Sequence, residues 1–175
     1  EKGTQNGELP LLTSTEVERE LSQIEQEPTA LRPDDPLLLV MDDNEDIRAL
    51  VALLMREEYN VIGAADGKEG VRLAAKYVPD LIICDMMMPV MDGLECCRRI
   101  KQEVSTSHIP VLMLTACSLD EQRAQGYESG ADGYLAKPFD HAVLKARCHN
   151  LIENRQRIKQ LWTQHTGSSV VQIET

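Results

Sequence analysis

Five short apolar runs, with amphipathic segments between them, constrain the fold of this chain more than any other feature of its sequence. Each run is apolar throughout instead of alternating, which is typical of parallel strands covered on both faces. Parallel strands are joined by right-handed helical crossovers, so the pattern predicts an α/β fold, a doubly wound sandwich around a five-stranded parallel sheet. The predicted strands are residues 37–41, 60–65, 80–84, 110–115 and 133–136.

Residues that favour helix starts come before the amphipathic segments. In the N-terminal part, Thr13 and Glu16 are spaced as a capping box, and Val17, Leu21 and Ile24 recur at helical spacing. Later helices are predicted to begin near Asn44, Asp66, Asp92, Ser118 and Asp140.

The chain divides into three parts of different composition. Residues 1–36 are predicted to be a connector, in which the short helix is followed by a proline-rich linker. Residues 37–151 contain the alternating strands and helices and are predicted to form the domain. Residues 152–175 are predicted to extend the last helix to about Trp162 and then to end in a polar tail.

The last helical segment shows the heptad period of coiled coils, with steps of four and three residues. The series is Leu144, Cys148, Leu151, Arg155, Ile158 and Trp162. Its first members can also be explained as a face packed on the sheet, and Arg155 suits a helix–helix seam poorly. Because Ile158, Leu161 and Trp162 lie beyond the expected domain edge, we expect a connector helix that can form a homodimer.

Charge and cysteine content exclude several classes of protein. The chain carries 18 basic and 29 acidic side chains, a formal net charge of −11, so this segment should repel nucleic acid. Five cysteines without a C-x-x-C pair indicate reduced thiols, neither a disulfide framework nor a zinc site. No apolar run is long enough to span a bilayer, so we expect no membrane contact by this segment.

Charged and hydroxyl side chains follow the ends of four predicted strands. Asp42 and Asp43 follow the first strand, Asp85 the third, Thr115 ends the fourth, and Lys137 follows the fifth. The carboxyl ends of parallel strands lie at one edge of the sheet, so these groups should converge. A single Asp after a strand is more often a helix cap, but the coincidence at several strand ends favours a functional cluster.

This set of groups suits phosphoryl transfer. Three neighbouring carboxylates repel one another unless a cation lies among them, and oxygen ligands favour Mg²⁺. A hydroxyl and an ammonium beside that cation can neutralise and orient phosphoryl oxygens. Asp85, at the end of the central apolar run, is then the expected nucleophile, which forms an acyl phosphate.

Four motifs, VMDDNEDIR, LIICDMMMPVMDG, VLMLTA and GYLAKPF, resemble those of the receiver domain of two-component signalling and occur in the same order. The resemblance covers about residues 36–151. It implies the flavodoxin-like receiver fold. It also implies that Asp85 accepts a phosphoryl group from a kinase phosphohistidine, in a Mg²⁺-dependent (or Mn²⁺-dependent) step that drives a conformational switch.

The resemblance also implies roles for the metal ligands. Asp43 would bind the ion directly and Asp42 largely through water, beside the acceptor Asp85. The backbone carbonyl of Met87 would complete the protein ligands.

For phosphate binding, the resemblance implies that Thr115 and Lys137 each contact a phosphoryl oxygen. The Lys137–Pro138 bond is expected to be cis. Tyr134, three residues before Lys137, matches the aromatic switch residue and should turn inward when Thr115 moves toward the phosphate.

The loop after the acceptor is expected to be fixed by Pro89, and Gly93 should allow a close backbone approach. In the family, the residues two after the acceptor and two after the threonine influence the hydrolytic water. Here they are Met87 and Cys117, which are poor partners for water, so we predict slow self-dephosphorylation.

The N-terminal stretch KGTQNGELPLL is similar to the closing strand of a histidine-kinase ATP-binding domain. This similarity implies a hybrid sensor kinase with its kinase domain in cis, located in the cytoplasm or as the cytoplasmic part of a membrane-anchored sensor. A stand-alone response regulator and an interaction-only receiver are the alternatives. A receiver promotes only its own phosphorylation and dephosphorylation, so the sequence leaves open whether the parent protein is an enzyme.

Two other classes fit less well. HAD-like aspartyl phosphohydrolases also combine Asp, Thr or Ser, Lys and Mg²⁺, but they need a second carboxylate two residues after the nucleophile, where Met87 stands. A dinucleotide-binding domain would need G-x-G-x-x-G after a strand, and this chain has none.

Overall fold

A computed structural model describes residues 12–25, 28, 31–116 and 129–167. Five parallel strands form one sheet in the order β2-β1-β3-β4-β5, which confirms the predicted doubly wound α/β fold. The strands are β1 Leu37–Met41, β2 Asn60–Ala64, β3 Leu81–Asp85, β4 Val111–Thr115 and β5 Gly133–Ala136. The helices of the described segments are α1 Ser14–Ile24, α2 Glu45–Met55, α3 Gly67–Tyr77, α4 Gly93–Gln102 and α5 His141–Gly167.

Four strand ends, in three strands, differ from the prediction by one residue each. The second strand ends at Ala64, the third runs from Leu81 to Asp85, and the fourth begins at Val111. Asp85 belongs to β3 because it pairs with Leu114, and the next backbone amide donates to the Leu114 carbonyl at 2.9 Å. The acceptor candidate is therefore held by the sheet itself. The helix predicted to begin at Ser118 lies outside the described residues.

Both faces of the sheet are covered, as the continuous apolar runs require. Every residue of β1, β3 and β4 is buried. Within β1, Leu38 and Val40 face the cluster under α1, α2 and α5, while Leu39 and Met41 face the cluster under α3 and α4. Each buried aliphatic side chain contributes roughly 1.5–3 kcal/mol, so these two clusters fix the strands that carry the site.

The first helix, α1, packs against α2 and β2. Its predicted capping box between Thr13 and Glu16 is present, and Val17 and Ile24 are buried in the shared core. Ile24 lies over Gly63, where a Cβ would come 2.8 Å from the Ile24 Cδ1 atom. The absence of a side chain at Gly63 thus makes room for the end of α1 on the sheet.

Two ion pairs, each with one buried and one exposed partner, also fasten α1. The carboxylate of Glu20 is buried and accepts a hydrogen bond from Arg56 at 2.6 Å. Arg48, which is 3% exposed, donates from Nε to Glu25 Oε1 at 3.1 Å and from Nη1 to the backbone carbonyl of Asp42 at 2.9 Å. This second arginine connects the end of α1 to the end of β1.

The last helix, α5, continues to Gly167, about one turn and a half further than the predicted end near Trp162. Leu144 and Cys148 are buried on the sheet, whereas Leu161 and Trp162 are exposed, Trp162 by 69%. The helix is continuous across residue 151. No helix in the described part of the chain is both long and apolar enough to cross a membrane.

Candidate phosphoacceptor site

Three carboxylates meet at the carboxyl edge of the sheet, as predicted. One oxygen from each of Asp42, Asp43 and Asp85 lies within 4.8 Å of the others. Asp42 is fully buried, Asp85 is nearly so, and Asp43 is exposed. A cluster of this kind can hold an ion between its buried and its solvent-facing members.

Backbone hydrogen bonds orient the two buried carboxylates. The amide of Asp42 donates to the Ala64 carbonyl at 3.2 Å, and its Oδ1 atom accepts from the Asn44 amide at 2.9 Å. Asn44 in turn caps α2, as predicted, by accepting from the Asp46 amide. Asp85 Oδ1 accepts a long hydrogen bond of 3.4 Å from the Met87 amide.

Lys137 reaches this cluster from the loop after β5. Its Nζ atom donates to Asp42 Oδ2 at 2.8 Å and lies 3.3 Å from Asp85 Oδ1. The Lys137 amide donates to the carbonyl of the buried Thr115 at 2.7 Å, which ties the lysine segment to the end of β4. The Lys137–Pro138 bond is cis, as predicted.

The surroundings shift two pKa values in this site. Burial raises the pKa of Asp85, and repulsion from Asp42 adds to it, while Lys137 and the Met87 amide oppose the rise. Burial lowers the pKa of Lys137, but the hydrogen bond and negative charge of Asp42 outweigh burial, so the pKa of the lysine is raised. The ammonium therefore stays charged at neutral pH.

The charges of the cluster leave room for a divalent cation. Among the described residues, three carboxylates share one lysine, so the cluster has an excess of negative charge. All the side-chain ligands are oxygen atoms, which is the donor set that Mg²⁺ prefers. The residues present therefore fit a magnesium ion.

The loop from β3 to α4 keeps the backbone close to the site. A Cβ on Gly93 would lie 2.1 Å from the Asp85 carbonyl oxygen, so only glycine fits there, as predicted. The Met91 amide donates to the Pro89 carbonyl at 2.8 Å, which tightens the loop around the exposed Val90. The side chain of Met87 is 68% exposed, so it points to solvent beside the acceptor.

Two features of the site were not predicted from the sequence. Val90 has a φ of 70°, a conformation that is unfavourable for a β-branched residue, and no residue pattern signals it. Arg48 donates a hydrogen bond to the backbone carbonyl of Asp42, but an arginine in an amphipathic helix is usually an exposed surface charge, so the sequence did not indicate this role.

Tyr134 is half-buried against the cluster under α3 and α4. Cys117 lies outside the described residues.

Comparison with known proteins decides the family. The family model described as the response regulator receiver domain matches residues 38–149. The chain belongs to the receiver domain family. Receiver domains are the phosphoacceptor modules of two-component signalling, which work with histidine kinases, and their active site binds Mg²⁺.

Individual relatives agree. The receiver is 36% identical to histidine kinase P4 of Formosa agariphila over 86% of this chain and 10% of that protein. It is 43% identical to the DNA-binding dual master transcriptional regulator RpaA of Synechocystis over 71% of this chain and 52% of that protein. The chain thus spans about half of RpaA and a tenth of histidine kinase P4.

A solved structure agrees as well. The receiver domain of sensor histidine kinase PA1611 from Pseudomonas aeruginosa is 31% identical, with a TM-score of 0.64 over 68% of this chain and 98% of that domain. That structure has a magnesium ion coordinated in its active-site cleft.

Proposed function

We propose that Asp85 is the phosphoacceptor of this receiver and takes its phosphoryl group from a phosphohistidine of a histidine kinase. The observation that carries the proposal is the placement of Asp85, which ends the central strand, lies 3.3 Å from the Lys137 ammonium and shares an oxygen cluster with Asp42 and Asp43. The rigid sheet presents this carboxylate at the edge where a donor can approach.

The transfer forms one bond and breaks one. A carboxylate oxygen of Asp85 attacks phosphorus and forms the P–O bond of an acyl phosphate, while the P–N bond to the donor imidazole breaks. The electron pair of that bond leaves with the imidazole nitrogen, which takes up a proton. Lys137, which donates a hydrogen bond to Asp42 in the unphosphorylated structure, would donate to a phosphoryl oxygen instead. The Thr115 hydroxyl would donate to another phosphoryl oxygen.

Asp42, Asp43, Asp85 and the Met87 carbonyl would hold the divalent cation, Mg²⁺ or Mn²⁺. When bound, that cation neutralises phosphoryl oxygens which the lysine and the hydroxyl leave free. Phosphorylation would then draw Thr115 toward the site and hold Tyr134, whose hydroxyl is already buried, in an inward position, which is the switch that relays the signal.

Phosphoramidate tests this proposal, because its P–N bond has the same chemistry as phosphohistidine. We expect the intact mass of the protein to rise by one phosphoryl group with Mg²⁺, and to stay unchanged with EDTA or in Asp85→Asn. Labelling of Asp85→Asn to the wild-type extent would show that another residue is the acceptor. No labelling of the wild type would favour an interaction-only receiver.

We further propose that the chain is part of a hybrid sensor kinase, with its kinase in cis and in the cytoplasm. The match to histidine kinase P4 covers 86% of the chain, more than the receiver segment 38–149, and this extra length supports the proposal. The match to RpaA supports a stand-alone regulator as the second candidate, although the net charge of −11 argues against DNA contact by this segment. The coding region upstream of residue 1 tests both: a kinase ATP-binding domain there supports the hybrid, and a start codon at this point excludes it.

The distal part of α5 is a proposed dimer contact. Ile158 and Trp162, which continue the heptad series, are exposed, and so is their neighbour Leu161. The first members of the series, Leu144 and Cys148, are buried against the sheet. In sedimentation equilibrium, Ile158→Glu should shift the chain to monomer, whereas Gln160→Glu, which adds the same charge, should not. A wild-type monomer at high concentration would exclude this contact.

A further inference from the structure

A cleft of about 290 Å³ lies at the amino edge of the sheet, opposite the phosphoacceptor site. Three segments enclose it: residues 78–80 before β3, residues 108–110 before β4, and residues 155–159 on α5. Two of these segments belong to the receiver loops, and the third belongs to the last helix. The cleft is therefore formed where the domain meets its helical extension.

Three basic side chains line this cleft, namely His108, Arg155 and Lys159. None of them has a hydrogen bond or an ion pair within the described part of the chain, in contrast to Arg48, the other arginine with limited exposure, which is bound to Glu25. A half-buried arginine without a carboxylate partner is unusual in a chain of net charge −11, because partly desolvated charges are normally paired.

The positive charges around the cleft lie close enough to change the pKa of His108. Burial lowers the pKa of His108, and the positive charges of Arg155, Lys101 and Lys159 lower it further, while Asp80 opposes them. Lys101 is already engaged, since its Nζ atom pairs with Asp132 at 2.8 Å and donates to the Ile109 carbonyl at 2.7 Å. Asp80 is engaged too, because its carboxylate accepts from the Leu37 amide at 2.7 Å.

We propose that this cleft binds a small phosphate-bearing organic anion, such as a nucleotide, between the receiver loops and α5. The planar guanidinium of Arg155 suits two oxygens of one phosphate group, and Lys159, one helical turn further, adds a second charge. Val78, Pro79 and Pro110 provide an apolar wall for the organic part of the ligand. The cavity volume is close to the lower limit of about 300 Å³ for small-molecule sites.

Such a ligand would contact both the receiver and the helix that leads away from it. It would fasten the turn that contains Arg155 and Lys159 to the loops before β3 and β4. This position also gives a reason for Arg155, which interrupts the heptad series at a seam position.

NMR of the His108 ring tests the proposal on the full chain, with EDTA present so that no metal links the ligand to the acidic site. On addition of ADP, the His108 resonances should shift and their titration midpoint should rise, because a bound anion stabilises the imidazolium form. Pyrophosphate should give the same response more weakly, and adenosine, which has no phosphate, should give none. Binding of adenosine equal to that of ADP would overturn the proposal, as would unchanged His108 signals at millimolar ADP.

Matched double variants separate this site from a general attraction to basic residues. Arg155→Gln with Lys159→Gln should weaken ADP binding by about tenfold or more, since charge-assisted hydrogen bonds are lost. Lys145→Gln with Arg157→Gln removes the same charge from exposed positions of α5 and should leave binding unchanged. Equal weakening in both variants would overturn the proposal.

Discussion

Two places in this receiver bring partly buried carboxylates and cations together, and they differ in how their charges are matched. Where α1 meets α2, Glu25 pairs with Arg48. Glu20 pairs with Arg56 and, at 3.5 Å, also with Arg19, so each carboxylate has at least one arginine of its own. At the carboxyl edge of the sheet, Asp42, Asp43 and Asp85 share one lysine.

The difference teaches what each place is for. Matched pairs satisfy one another and fix one arrangement of helices, which makes the α1 junction structural. Among the described residues, the unmatched cluster keeps more negative than positive charge, and the surrounding sheet prevents the carboxylates from moving apart. Such a site is completed by a divalent cation and, during signalling, by a phosphoryl group.

The junction is tested by Arg48→Met, which keeps a similar side-chain volume but removes the cation between Glu25 and the Asp42 carbonyl. We expect a loss of about 2 kcal/mol in the free energy of urea unfolding, because hydrogen bonds to charged groups are lost. Arg157→Met, on an exposed part of α5, should change this free energy by less than about 0.5 kcal/mol. Similar losses in both variants would mean that the pairs at the junction contribute nothing special.

The lifetime of the phosphoryl group tests the exposed side of the acidic site. Met87 cannot position a water molecule for hydrolysis, so we expect slow decay in the wild type and decay faster by about tenfold or more in Met87→Asn. Val90→Asn places the same amide three residues further along the loop and should decay as the wild type does. Mass spectrometry over time after labelling measures both, and a wild-type lifetime of seconds, or no change in Met87→Asn, would contradict the expectation.

The smallest expected effect is a pH dependence of stability in the metal-free protein. The folded-state pKa of Asp85 is raised above its ordinary value of 3.8, so the fold binds this proton more tightly than the unfolded chain. The resulting stabilisation is present below pH 3.8 and is lost as the pH rises through the raised pKa. The melting temperature of the wild type, minus that of Asp85→Asn, should fall over this range in EDTA. A difference in melting temperature that stays constant or rises would mean that burial and the neighbouring carboxylate do not raise the pKa of Asp85 in the metal-free protein.

Much of this site could be predicted because the sheet topology determines it. The carboxyl ends of parallel strands lie at one edge of the sheet, so the convergence of Asp42, Asp85 and Lys137 could be predicted once the strands were recognised as parallel. The close backbone approach at Gly93 could also be predicted, since a tight loop after a strand leaves no space for a side chain.

The α1 junction could not be predicted in the same way. The spacing of Val17, Leu21 and Ile24 indicates an apolar helical face, but it does not indicate that this face packs against α2 and β2. Glu20 and Arg48 are of residue types that are usually exposed, and their burial depends on partners that are distant in sequence. Pairing over such distances depends on how the helices pack, which local periodicity does not specify.

A calorimetric titration with Mg²⁺ tests the unmatched charges most directly. We predict that the wild type binds one ion per chain, and that Asp43→Asn binds it more weakly by well over tenfold, since losing even outer partners of a metal site costs about 10–100-fold. Glu57→Gln, which removes an exposed carboxylate elsewhere, should bind as the wild type does. Equal affinity in Asp43→Asn and the wild type, or no uptake of Mg²⁺ by either, would contradict the assignment of this cluster as the metal and phosphoryl site.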